Sequence, residues 1–445
     1  MKKLFKNIFK LIIPLNLRKK INNLLDVPNN INILSQQVNE LKYQNNTLSY
    51  ELWKTKTLLL LKEQSPELLS KFSSGLNNDN ILINSLSQTN IFNDLKNDFI
   101  NNMGIFMQIF VCGTPGLSLD IIYKNQLNLA KNLSYKWQAF SNILSIFMPH
   151  YQNDEIAYKL NELFDHSCIE KNSWGTLLYI SWLILRKEEE KAFKLLHIYL
   201  KKYDLETITG MIPIADLAHR NGITNEDISV SSQLFQTIIK NVNNNVLENY
   251  INSFGNNVTI AIVGNGPHEL GLGKGEEIDA HDIVVRCNRY NNSEKYIKDY
   301  GKKTNIVIFT STDENNSDHE LFNRSLINFF ATHSLFEEPF SKNIRQYYKE
   351  NNFSNITTIG LSATRREIQQ KYNINWPTTG FRAIYYFKNI LKKNIKKSDI
   401  YGFALNHGTV LGGHYEDTSK KINYLGFHDF FMEFHAMQDM FKKDT

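Results

Sequence analysis

Two textures of apolar and polar positions divide this chain. From Val258 onward, short apolar runs closed by Gly, Asn or Pro alternate with stretches of helical period. Ile260–Val263, Ile283–Val285, Ile306–Phe309, Leu326–Phe330 and Ile400–Phe403 read as strands, and Ala383–Leu391 as an intervening helix. Runs this short and this apolar fit strands buried on both faces of a parallel sheet. The expected fold class is therefore α/β: a Rossmann-like, mostly parallel sheet with helices on both faces, over residues 257–445. Residues 67–250 instead carry helical periodicity, as in Tyr158–Phe164 and the apolar-basic run Leu177–Tyr203. Trp137, Trp174 and Trp182 sit among those apolar positions and are expected in a helical core. Asn-rich stretches at 77–80 and 241–245 punctuate this part, and the second marks the expected domain boundary.

The first 65 residues have a third pattern. A helix over Lys3–Ile13 would place Leu4, Phe5, Ile8, Phe9, Leu11 and Ile12 on one face, with Lys2, Lys3, Lys6 and Lys10 on the other, before Pro14 ends it. Arg18, Lys19 and Lys20 follow. That run is too short and too interrupted to span a bilayer, and no small-residue cleavage site follows it. Residues 1–25 are expected to lie as a basic amphipathic helix on an anionic membrane surface. Over 28–65, Ile31, Val38, Asn45, Leu52 and Leu59 fall at heptad position a, and Leu34, Leu41, Leu48 and Thr55 at d. The pattern predicts a parallel two-stranded coiled coil, hence a homodimer, with Asn45 setting register and Glu51 facing Lys56 of the partner helix. Pro66 closes it.

Composition narrows the class. At 445 residues the chain expects two or three domains, and 42% hydrophobic residues with 28 Phe and 21 Tyr can build real cores. The net charge of +5 demands no polyanionic partner, so no nucleic acid is expected. Three widely spaced cysteines (Cys112, Cys168, Cys287) argue for a reducing compartment, and no Cys-x-x-Cys pair offers a zinc site. The spacing of His407, His414, His428 and His435 fits no zinc pattern either. The richness in Asn, Lys and Ile suggests an AT-rich bacterial genome.

The candidate chemistry lies in IAIVGNGPHELGLGKGEEIDAHDIVVRCNRY, from Ile260 to Tyr290, and the YGKKTN that begins at Tyr300. Two apolar runs each deliver an asparagine, Asn265 and Asn288, to a strand's carboxyl end, where ligands bind in open α/β sheets. A carboxamide both donates and accepts, which suits a ribose, base or phosphate. A dinucleotide fingerprint is disfavoured: Gly264-x-Gly266 is present, but Gly271, Gly273 and Gly275 do not complete the spacing, and Pro267-His268 stand where the helix should open.

Taken together, these residues resemble glycosyltransferase family 29, the CMP-sialic-acid-dependent sialyltransferases. VGNG, IDAHDIVVRCN and YGKKTN resemble its large motif. Pro377-Thr378-Thr379-Gly380 with Asp399-Ile400-Tyr401-Gly402-Phe403 resembles the small motif, His414-Tyr415-Glu416-Asp417 the third, and His428 to Glu433 the very small motif. The resemblance implies a donor (CMP) site built from Asn265, Gly266, Asn288, Thr378, Thr379, Gly380, Gly402, Phe403 and Tyr415. It implies His428 as general base, His414 on the leaving phosphate, and Glu433 as an indirect partner. Asp279, His281 and Asp282 are expected to brace the turn before the second strand.

No metal and no cofactor beyond the CMP-sugar co-substrate is expected, because the chain has no Asp-x-Asp pair and a CMP-sugar carries one phosphate. The family's vertebrate members bridge the large and small motifs with a disulfide. Here Ile260 takes the first position, Lys392–Ser398 has no Cys, and Glu416 stands where the family usually has an aromatic residue. The expectation is a cytoplasmic, bacterial-type, inverting transferase, peripheral on the inner face of the membrane. It would move sialic acid to a surface glycan such as a lipooligosaccharide or capsule. CMP-Kdo as donor is one alternative, and a coiled-coil scaffold with an inactive nucleotide-binding domain is another.

Overall fold

A computed structural model describes residues 144–442, except 165–168, 170–172, 289, 292, 311–326, 352, 373, 375, 404 and 406–429. The amphipathic segment 1–25, the heptads of 28–65, Trp137, Cys112 and Cys168 lie outside the described residues.

The helical layer comprises α1 (Asp154–Leu163), α2 (Ser173–Leu185), α3 (Glu189–Leu200), α4 (Glu206–Thr209), α5 (Ile212–Arg220), α6 (Glu226–Asn243) and α7 (Val246–Asn252). Local chemistry sets their ends. Asn153 and Asn225 cap α1 and α6 by accepting from the Ile156 and Ile228 amides, and each cap is followed by two acids in the first turn. The run Leu177–Tyr203 is two helices, because Lys187 turns the chain at a φ of 64° between α2 and α3. Within α2 every residue from Gly175 to Ile184 is buried, which makes it the centre of this layer. Trp182 is fully buried there, whereas Trp174, expected in the core, is 37% exposed at the helix start.

The sheet follows: β1 (Ile260–Val263), α8 (Gly275–Asp279), β2 (Ile283–Cys287), α9 (Glu294–Tyr300), β3 (Ile306–Phe309), β4 (Phe329–Thr332), α10 (Lys342–Asn351), β5 (Ile356–Thr358), α11 (Ala363–Tyr372), α12 (Thr379–Tyr385), β6 (Ile400–Tyr401) and α13 (Phe430–Met440). All pairings are parallel, in the order β5-β4-β3-β2-β1-β6. The chain belongs to the α/β class with a Rossmann-like sheet.

Side chains alternate across the strands. Ile260, Ile262, Ile283, Val285, Ile306, Ile308, Phe329 and Ala331 face a core shared with α7, α11, α12 and α13. On the opposite face Ala261, Val263 and Val284 pack on Ile278, Tyr296 and Tyr300 of α8 and α9. Val307, Phe309, Phe330 and Ile356 pack there on the helical layer. Asn241 of α6 also donates to the Ile356 carbonyl at 2.8 Å, so a helix lies against edge strand β5.

The second strand runs past Val285 to Cys287, the last stops at Tyr401 rather than Phe403, and three further elements differ from the sequence pattern. The fourth strand is Phe329–Thr332, not Leu326–Phe330. The three-residue β5 was not anticipated. The helix placed at Ala383–Leu391 starts earlier, at Thr379, because Thr378 caps it, and it runs into a π-helical turn over Tyr386–Ile390. From β1 the strands step outward to β5, and β6 then returns to the other side of β1. The order reverses at β1, and the crevice at its carboxyl end is the ligand position of such sheets.

Candidate functional site

At that reversal the chain leaves β1 as Gly264-Asn265-Gly266-Pro267. The ladder to β6 continues into the loop: Gly264 N–H donates to the Tyr401 carbonyl at 2.8 Å and Gly266 N–H to that of Gly402 at 3.1 Å. Gly402 has a φ of 72°, and a Cβ there would strike the Gly264 carbonyl, so only glycine fits. The buried Glu269 accepts the Gly402 amide at 3.1 Å. Tyr300 donates its hydroxyl to the Gly266 carbonyl at 2.7 Å and accepts from Glu269 N–H at 3.2 Å. The turn is thus held from β6 and from α9 at once.

Both asparagines sit on this rim. Asn265 Nδ2 donates to the Cys287 carbonyl at 2.9 Å, bridging β1 to β2. Asn288 ends β2 at a φ of 51°, a conformation asparagine tolerates. Its Oδ1 accepts from Thr310 N–H at 3.0 Å, and its Nδ2 donates to Thr379 Oγ1 at 3.1 Å. A backbone N–H can only donate, so the orientation of this carboxamide is decided by its partners.

The small-motif turn meets the rim through Thr379. Thr378 caps α12 by accepting from Phe381 N–H at 3.1 Å. Glu433 of α13 is buried and takes Thr378 N–H at 2.6 Å and its hydroxyl at 2.7 Å. Gly380 backs directly on the Phe403 ring, which also lies against Gly264. Thr379 Oγ1 additionally meets His333 Nε2 at 2.9 Å, and Arg382 reaches His333 Nδ1 at 2.8 Å and the Pro377 carbonyl at 2.9 Å. Burial pushes the Arg382 guanidinium down to about 10, with nearby Arg365 adding to the effect.

The rest of the large motif is scaffold. Arg286 is fully buried within β2, where its guanidinium donates to the carbonyls of Tyr300, Gly301 and Lys303 and to the Thr304 hydroxyl, at 2.8 to 3.1 Å. YGKKT is the receptor for that side chain. Asp279 accepts the Lys302 and Lys303 amides, and Asp282 the Thr259 amide and hydroxyl, so these acids do brace the turns around β2. His281 holds the Glu277 carbonyl through Nδ1 and faces Asp399 at 3.6 Å through Nε2. Burial pushes the Cys287 thiol up to about 12, which leaves it inert.

Asn265, Gly266, Asn288, Thr378, Thr379, Gly380, Gly402, Phe403 and Glu433 therefore form one connected rim. His414, Tyr415 and His428 lie outside the described residues, as does His407. Among the described residues, no group of three or more His, Cys, Asp or Glu is arranged to hold a metal, and no helix is long and apolar enough to cross a membrane.

His333, Arg382 and Glu269 escaped the sequence reading. Had the fourth strand been ended at Thr332, His333 would have stood on the rim as the first residue past a strand's carboxyl end.

The profile of glycosyltransferase family 29 (sialyltransferase) matches residues 214–445, which include the whole rim. The chain belongs to this family.

The family match starts inside α5, upstream of the boundary read at 241–245. The beta-galactoside alpha-2,6-sialyltransferase 2 of Homo sapiens is 31% identical over 123 residues, 28% of this chain and 22% of that protein. The Bos taurus protein of the same name is 28% identical over 139 residues, 31% of this chain and 27% of its own length. That of Rattus norvegicus is 32% identical over 123 residues, 28% and 22% respectively. The similarity thus spans about a quarter of those sialyltransferases.

Proposed function

We propose that this chain transfers sialic acid from CMP-sialic acid to a hydroxyl of a surface glycan, with inversion and without a metal. The observation that carries the donor site is the Asn288–Thr379 hydrogen bond, which joins the large-motif rim to the small-motif turn beside the reversal at β1. The cytidine monophosphate would lodge along that rim, against Asn265, Gly266, Asn288, Thr379, Gly380 and Phe403, with Tyr415 as a further donor-binding residue. In the reaction the acceptor oxygen bonds to the anomeric carbon as its proton passes to His428. The bond from that carbon to the phosphate oxygen breaks, and His414 stabilises the charge on the departing phosphate. Glu433 acts by holding Thr378.

Calorimetric CMP binding and a transfer assay test this reading. His428→Ala is expected to lower transfer by at least about 100-fold with CMP affinity nearly unchanged. Asn265→Ala is expected to weaken CMP itself. Equal turnover of wild type and His428→Ala would remove the assignment of the base. Absence of any CMP-dependent activity would favour a scaffold. The names of the relatives support sialic acid over Kdo as the donor sugar, and a side-by-side assay of the two CMP-sugars decides between them. Residues 1–25 would hold the enzyme peripherally on the cytoplasmic membrane face and residues 28–65 would pair two copies. Co-sedimentation with anionic vesicles and the solution mass of the full chain check each in turn.

A further inference from the structure

The group at the end of β4 has a defined donor–acceptor order. Arg382 can only donate, so His333 Nδ1, at 2.8 Å from it, must accept. The ring proton of the neutral imidazole then sits on Nε2 and is donated to Thr379 Oγ1 at 2.9 Å. Asn288 Nδ2 also donates to Thr379 Oγ1, at 3.1 Å, because its Oδ1 is committed to the Thr310 amide. A hydroxyl has two lone pairs and one proton. With both lone pairs of Thr379 occupied, its proton is directed away from His333 and Asn288. The loop that carries His333 is itself pinned: Ser334 N–H donates to Thr332 Oγ1 at 3.2 Å, and Glu338 accepts the hydroxyls of Ser334 at 2.8 Å and Thr310 at 2.6 Å.

We propose that His333 is a positioning residue for the donor nucleotide: locked by Arg382, it turns the Thr379 hydroxyl into an obligate hydrogen-bond donor aimed at an oxygen of the bound cytidine monophosphate. This rests on the transferase reading above. His333 itself touches no substrate; its effect passes through Thr379.

Two substitutions separate positioning from structure. His333→Asn places a carboxamide oxygen where Nδ1 was, keeping an acceptor for the buried Arg382, but cannot reach Thr379. His333→Gln presents an N–H at the distance of Nε2. CMP and cytidine affinities are measured by calorimetry alongside thermal melting. We expect His333→Asn to melt like wild type yet bind CMP about tenfold more weakly, and His333→Gln to recover most of that loss. In a Thr379→Val background His333→Asn should have no further effect, since the hydroxyl it orients is gone. A loss for CMP alone identifies a phosphate oxygen as the acceptor, and a loss for cytidine as well identifies a ribose oxygen; both support the proposal. Wild-type affinity in a folded His333→Asn variant, or an equal loss in the Thr379→Val background, overturns it. Wild-type protein that binds no CMP at all would instead sink the transferase reading on which it stands.

Discussion

A single methyl group shows how tightly the rim is built. At Gly402 a Cβ would enter the Gly264 carbonyl while its backbone sits at a φ of 72°. Gly402→Ala is expected to cost about 3 kcal/mol or more, read as a lowered denaturant midpoint, because conformational strain and a backbone clash coincide. Glu433 is the second test at this scale. Both of its oxygens are committed to Thr378, so Glu433→Ala leaves the half-buried Thr378 amide and hydroxyl without their acceptor. Chemical denaturation should show a loss of about 2–4 kcal/mol, and CMP binding should weaken with it, because the same turn carries Thr379 and Gly380. Glu433→Gln keeps one acceptor and should fall between. Residue types at this scale were legible in the sequence wherever a motif named them. His333 was not, because no motif marks it and its importance comes only from meeting Thr379, 46 positions away.

Among elements, α5 and α6 are joined across their apolar contact by one buried carboxylate. Asp216 accepts from Ser232 Oγ and Gln236 Nε2 on α6, and from Arg220 Nε on its own helix, each at 2.8 Å. Asp216→Ala is expected to lower stability by about 1–3 kcal/mol in urea unfolding, since the buried Ser232 hydroxyl loses its acceptor in the layer that backs β3 to β5, while the exposed Gln236 and Arg220 side chains can turn to water. Strands β1 and β3 were readable to the residue, because four apolar residues flanked by polar turns have no other plausible state. β5 was not. Three residues, Ile356-Thr357-Thr358, are too few to show a period, and pairing with β4 is what makes them a strand. β4 was misplaced because the apolar run read as Leu326–Phe330 starts before the strand and covers only its first half, and the register with β3 decides where it ends.

For the molecule as a whole, the His281–Asp399 contact joins the turn before β2 to the entry of β6, the two sides of the reversal at β1. The Asp399 carboxylate raises His281 above the usual histidine value, against its partial burial. The protonated ring is therefore the form the fold favours. Its contribution is fully present below about pH 6.5 and is lost as pH rises through the raised value. Wild type should consequently lose stability between pH 6 and 8 relative to His281→Gln, in melting temperatures taken across that range. Parallel curves for the two proteins would show that the pair contributes nothing.

The linear order of residues by itself determined the α/β class, the strand-ending asparagines and the family motifs. These are local matters: burial sets a strand's apolar run, and a turn's dihedral angles select the residue that can adopt them. Only the tertiary structure decided that Arg286 is a strut inside YGKKT rather than a surface cation. It likewise decided that Glu433 reaches Thr378, and that Asn288 and His333 converge on one hydroxyl. Those contacts join residues 14 to 91 positions apart, and a hydrogen bond depends on distance and direction in space, which residue spacing along the chain does not encode.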